Sequence, residues 1–154
     1  MKNIILLSDE RLVKKNSKLR NDLFFKKLVR KKIIQKKKFI FYNKSNFDKL
    51  YLKNFNNKLK NIKFKIAILG FGRNGHLASI FNYKANENNS DFYFIDNSPK
   101  FPSKRVTVSV NMIRKCEIIY IIASKKSKKR EIEHFSKFPI IKKIGIKKIR
   151  LITF

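Results

Sequence analysis

Acidic residues, glycine, proline and cysteine are all scarce in this chain, and each shortage excludes something. The one cysteine, Cys116, cannot form an internal disulfide, which suits a reducing cytoplasm. With 4 Gly and 3 Pro among 154 residues, no repeat or low-complexity linker divides the sequence, so residues 1–154 are expected to form a single domain. Long apolar runs are missing as well. The run at 4–7 meets Ser8-Asp9-Glu10, too soon for a signal-peptide core or a membrane span, and no membrane association is expected.

Only 10 Asp and Glu stand against 39 Lys and Arg, a formal net charge of +29. Such a field would hold a phosphate backbone at low salt. The lysines, however, are spread along the whole chain, alongside abundant Asn, Ile and Phe, which is the pattern that AT-rich codons impose on any protein. No RNP, KH or zinc motif accompanies them, so nucleic acid is not the expected partner. The densest runs, at 30–32, 36–38 and 125–130, read as solvated faces and helix ends. The chain is still 43% hydrophobic, with 15 Phe, ample material for a packed core.

Apolar spacing predicts alternating strands and helices. Residues 3–8 read as a buried parallel strand. Leu19, Leu23, Phe24, Leu28 and Val29 recur at helical spacing over 16–30, with Asn16 or Ser17 as cap. Residues 39–42 suit a short strand. Phe47, Leu50, Tyr51, Phe55 and Leu59 continue as a helix behind Ser45. Strands are expected at 64–69, 91–95, 106–110, 117–123 and 148–153, and a short basic helix at 127–135. The alternation argues for an α/β sandwich with a mainly parallel sheet.

The stretch Gly70-Phe71-Gly72-Arg73-Asn74-Gly75-His76 then admits two readings. As Gly70-x-Gly72-x-x-Gly75 after an apolar strand it is a dinucleotide fingerprint, with Asp96 about 20 residues on as the ribose acid. As a glycine turn delivering His76 to a strand end, with 77–81 opening the next helix, it is an active-site loop. Ligands in open α/β sheets sit beyond the carboxyl ends of strands, where Asp9-Glu10-Arg11, the glycine loop and the lysines after Ser124 would converge. That convergence suits an anionic substrate undergoing proton transfer.

Asp9-Glu10-Arg11-x-Val13, Gly70-x-Gly72-x-Asn74-Gly75-His76-x-Ala78-Ser79-Ile80-Phe81 and Pro99-Lys100-x-Pro102-x-x-Arg105-Val106-Thr107 together resemble, in order and spacing, the signature segments of the 6-phosphogluconolactonase branch of the sugar-phosphate isomerase and lactonase superfamily. The resemblance implies a Rossmann-like three-layer fold and hydrolysis of a phosphorylated sugar lactone, 6-phosphogluconolactone, without metal or cofactor. It implies His76 as general base held by Asn74, Gly70, Gly72 and Gly75 shaping the substrate loop, Arg11, Arg105 and Lys128 on the phosphate, and Asp9 and Glu10 positioning the loop or a sugar hydroxyl. Two departures accompany it. The family's leading strand, phosphate loop and helix are expected to be missing, to be supplied by a complementing chain if at all. Asn74 stands where the family has Asp, which would orient the imidazole without stabilising its charge and impair turnover. His134, in a basic helix without a partner motif, carries no assigned role.

Overall fold

A computed structural model of the chain describes residues 4–82 and 90–154. The elements run β1 (Ile5–Leu6), β2 (Asp9–Arg11), α1 (Asp22–Arg30), β3 (Phe39–Ile40), α2 (Lys49–Leu59), β4 (Ile66–Gly70), β5 (Phe92–Ile95), β6 (Arg105–Val108), α3 (Val110–Arg114), β7 (Ile118–Ala123), α4 (Lys125–Glu133), α5 (Pro139–Ile144) and β8 (Ile149–Thr153). Asn3, at the edge of the first expected strand, lies outside the described residues.

Pairing is mostly parallel. β7, four of whose six residues are isoleucine, lies between β4 and β8, parallel to both, and β1 pairs parallel with β3. Its inward residues Ile119, Ile121 and Ala123 are fully buried, with Leu69 of β4 and Ile149 of β8 on the same side. The opposite side, with Ile66, Ile68 and Ile152, is open to solvent. A second, antiparallel sheet in the order β2-β6-β5 places buried β6 in its centre. Edge-to-face contacts of Tyr42 and Phe92 with Phe55 dock α2 on the core. This is the expected Rossmann-like α/β architecture.

Local outcomes differ from the sequence reading where tertiary contacts decide. The segment Asp9-Glu10-Arg11 is itself a strand, registered on Arg105 to Thr107 of β6, rather than a loop at a strand end. Helix α1 begins at Asp22, not near Asn16 or Ser17, because the Glu10 carboxylate accepts from the Asn21 and Asp22 amides. Helix α2 is capped by Asp48, which accepts from the Tyr51 amide, instead of Ser45. Ser109 ends β6 and caps the short α3, which the sequence reading had not separated, and Pro139 opens the equally unforeseen α5.

The largest correction concerns 77–81, which form no helix. Ala78 has φ +49, Leu77 bridges to Phe71 and Ile80, and Ser79 is held by Thr107 and Asp9. Burial of Leu77 and Ile80 fixes the chain in a tight turn against the core, and side-chain anchors override the local helical pattern. Among the described residues no helix is long and apolar enough to cross a membrane.

Candidate active site

The glycine loop leaves β4 and folds into a 3₁₀ turn at Arg73–Gly75, closed by a Gly72 carbonyl that accepts from the Gly75 amide at 3.2 Å. His76 follows in extended conformation. Its Nδ1 lies 2.7 Å from the Arg73 carbonyl, and since a carbonyl can only accept, Nδ1 carries the hydrogen. That fixes the tautomer and leaves Nε2 as a free acceptor. The ring packs on Gly72, where any Cβ would fall inside it, and beside Phe81 at 4.6 Å. Gly72 is therefore required for this ring position.

His76 lines a crevice of about 340 Å³ together with Asp9, Arg11, Gly70, Lys100 and Arg105. Three separate sequence motifs thus meet at one place. Partial burial pushes the imidazole below its ordinary 6.5, the Arg73 carbonyl opposes this, and the charges of Lys100, Lys128 and Arg105 add to the lowering. The result is a neutral ring near pH 7, ready to take a proton.

Arg105, expected on a phosphate, lines the crevice and also anchors a loop beside it. It is buried, and its guanidinium donates from Nε to Pro102 at 3.0 Å, from Nη1 to the Ser79 hydroxyl at 3.3 Å and from Nη2 to the Lys100 carbonyl at 3.0 Å. Ser79 in turn donates to Asp9 Oδ2 at 2.6 Å. Arg105 thereby holds the 98–103 loop against the crevice and presents Lys100, whose ammonium is pushed below its usual range by partial burial and by Lys128, Arg105 and Arg73. Arg11 uses Nη1 on the Leu19 carbonyl at 2.7 Å, while its buried Nε has no hydrogen-bond partner among the described residues. Among the described residues, Arg11, Lys100 and Arg105 are the cations that line the crevice.

Other expected site residues lie elsewhere. Glu10 is buried beneath the crevice, its oxygens accepting from the backbone amides of Arg11, Asn21 and Asp22, with Arg20 at 3.4 Å. Asn74, at φ +59, lines a neighbouring hollow with Arg130 and His134, and the group on His76 Nδ1 is the Arg73 carbonyl instead. Gly75, at φ +74, faces the Phe138 ring. Lys128, at a kink in α4, acts on His76 through its charge without lining the crevice. Lys100 and Ser79, by contrast, were visible inside the quoted motifs but not singled out. Asn21, which lines the crevice and donates to the Asp9 carbonyl, and the Arg73 carbonyl carried no sequence signal.

The dinucleotide reading fails on this geometry. It needs a helix N-terminus directly after the glycines to receive a pyrophosphate, and residues 77–80 are a bridged turn. Asp96 follows β5, a strand of the antiparallel sheet rather than of the β4 sheet. No cluster of His, Cys, Asp and Glu suited to a metal occurs among the described residues.

Comparison with known proteins agrees with the geometry. Residues 1–142 match the family of glucosamine-6-phosphate isomerases/6-phosphogluconolactonase. A 6-phosphogluconolactonase of Borreliella burgdorferi is 33% identical over 141 residues, a match covering 84% of this chain and 59% of that protein. The chain thus spans about three fifths of the length of this curated relative. Among solved structures, 6-phosphogluconolactonase from Thermotoga maritima superposes with a TM-score of 0.81 at 21% identity, covering 99% of this chain and 73% of that one. The Trypanosoma brucei enzyme gives 0.78 at 17% identity, covering 96% and 70%. The structural likeness fixes the fold, and with the match over residues 1–142 the chain belongs to the glucosamine-6-phosphate isomerase/6-phosphogluconolactonase family.

Proposed function

We propose that this protein hydrolyses 6-phosphogluconolactone to 6-phosphogluconate, with His76 as general base. The observation that carries the reading is the Nδ1–H bond from His76 to the Arg73 carbonyl, which leaves Nε2 as the acceptor of a ring lining the same crevice as Arg11 and Lys100. Nε2 removes a proton from a water whose oxygen adds to the lactone carbonyl carbon. The tetrahedral oxyanion collapses, the bond from that carbon to the ring oxygen breaks, and the imidazolium returns its proton to the leaving oxygen. Arg11 and Lys100 hold the phosphate by charge, Lys100 as a mobile point charge. Asp9, fixed by Ser79 and Asn21, faces a sugar hydroxyl. The buried, single Cys116 fits a reducing cytoplasm.

The test is lactone hydrolysis by purified protein, corrected for spontaneous ring opening, with glucosamine 6-phosphate as the alternative family substrate. His76→Ala is expected to lower turnover about a hundredfold or more while the unfolding midpoint stays within the range of surface substitutions. Activity on the amino sugar alone, or a His76→Ala protein as active as the original, would sink the lactonase reading.

A further inference from the structure

Two phenylalanines, Phe81 and Phe101, belong to the lining of the polar crevice. They are differently engaged. The Phe81 ring lies beside His76 at 4.6 Å and under the Arg105 guanidinium at 5.5 Å, committed to the site's own side chains. Phe101 is 85% exposed, the most exposed large apolar side chain among the described residues, and none of their rings or cations stacks on it. Its loop is tied down on both sides. The Ser98 amide donates to the Ser103 carbonyl at 3.0 Å, and the Ser98 hydroxyl donates to the Lys100 carbonyl and accepts from its amide. Arg105 Nη2 reaches the Lys100 and Phe101 carbonyls at 3.0 and 3.4 Å. These bonds keep the Phe101 ring out of the core, where its burial would be favourable.

We propose that Phe101 determines specificity in this crevice by packing its ring on the carbon skeleton of the phosphorylated sugar. Lys100 and Phe101 are consecutive and both line the crevice, so a phosphate held by the cations brings the adjoining carbons within reach of the ring. The face of an aromatic ring is electron-rich and sugar C–H bonds carry partial positive charge, so the two attract as water leaves both. Cations alone cannot make this selection. A chain of +29 draws any small anion, and Arg11, Lys100 and Arg105 offer inorganic phosphate the same charge as a sugar ester. An apolar contact beside them favours only the ester and so separates the two affinities. The inference rests on the proposed lactone hydrolysis for the substrate it names, and on the crevice lining for the contact.

Kinetics and fluorescence on the full chain test it together. Phe101→Ala is expected to raise the KM for the lactone about tenfold, with saturated turnover within about twofold and the inhibition constant of inorganic phosphate unchanged. Phe101→Tyr keeps a ring and should restore the original KM. The side chain is exposed, so the unfolding midpoint should not move in either variant. The chain has 0 Trp, which makes the indole of Phe101→Trp a single reporter at this position. Glucose 6-phosphate, a stable ring-closed sugar ester, should shift its emission to shorter wavelength, and inorganic phosphate should not. An equal shift with inorganic phosphate would show that the position senses charge alone and overturn the inference. Lactone hydrolysis with no shift, and with an unchanged KM for Phe101→Ala, would overturn it and leave the lactonase reading standing. The shift without any lactone hydrolysis would sink the lactonase reading and support the sugar contact.

Discussion

His76 sits under opposed influences, and their balance makes a pH prediction. Burial and the cations Lys100, Lys128 and Arg105 favour the neutral ring more than the Arg73 carbonyl favours the charged one. A base acts when deprotonated, so lactone turnover should rise with pH through a midpoint below 6.5 and level off above it. Lys100→Gln removes one of the repelling charges and should move that acid limb upward, with weaker substrate binding, as a pH profile of background-corrected rates would reveal. Gly72→Ala displaces the ring and should cost roughly a hundredfold in turnover with a small change in stability, measured by urea unfolding beside the assay. Asn74→Asp should leave turnover within about twofold of the original, because the Arg73 carbonyl already holds the ring. The motifs made His76, Asp9 and Arg11 legible in the sequence, and all three line one crevice. The Arg73 carbonyl was not legible, because every residue carries one and only the turn geometry selects it. The loop contacts of Arg105 were not legible for a related reason: a guanidinium suits phosphate and loop carbonyls alike, and only the path of the 98–103 loop shows which carbonyls it meets.

Between β2 and α1 a buried ionic group ties one element to the next. Arg20 binds Asp22 through Nε at 3.1 Å and Nη2 at 2.9 Å, and donates to the Tyr42 carbonyl, while Glu10 caps the helix start. Removing one partner strands the others in the interior, so Asp22→Asn is expected to cost about 3 kcal/mol in unfolding free energy. Burial works against the Asp22 charge, but the hydrogen bonds from Arg20 and Lys26 outweigh it and hold the carboxyl below its ordinary 3.8. Such a group stabilises the fold fully above that ordinary value and loses its contribution as pH falls through the lower native one. The advantage over Asp22→Asn, followed by urea midpoints, should therefore persist above pH 4 and shrink in more acid solution. Strands such as β7 were legible because β-branched runs have few other uses. Helix starts were not: α1 takes its cap from a strand eleven residues upstream of Asn21, and local pattern holds no record of that contact. The turn at 77–81 was read as a helix for the same reason, its anchors lying in β2 and β6.

At the scale of the whole molecule, two properties sit side by side: a formal charge of +29 and a sheet whose outward side shows Ile66, Ile68 and Ile152 to water. The charge does not make the fold, but it governs how molecules meet. In dilute buffer, repulsion reaches well beyond contact distance and keeps apolar strand edges from approaching one another. At 1 M salt that reach shrinks to about 3 Å, and short-range attraction between exposed isoleucines takes over. The protein should accordingly show inverted colloidal behaviour for so basic a chain, with a second virial coefficient that is strongly positive at low ionic strength and turns negative as sodium chloride is added. Static light scattering across a salt series would measure it, and Ile68→Lys should postpone the change of sign to higher salt. Lysine enrichment of compositional origin would then have acquired a physical consequence, as the solubilising coat of a sheet that is apolar on its outer side.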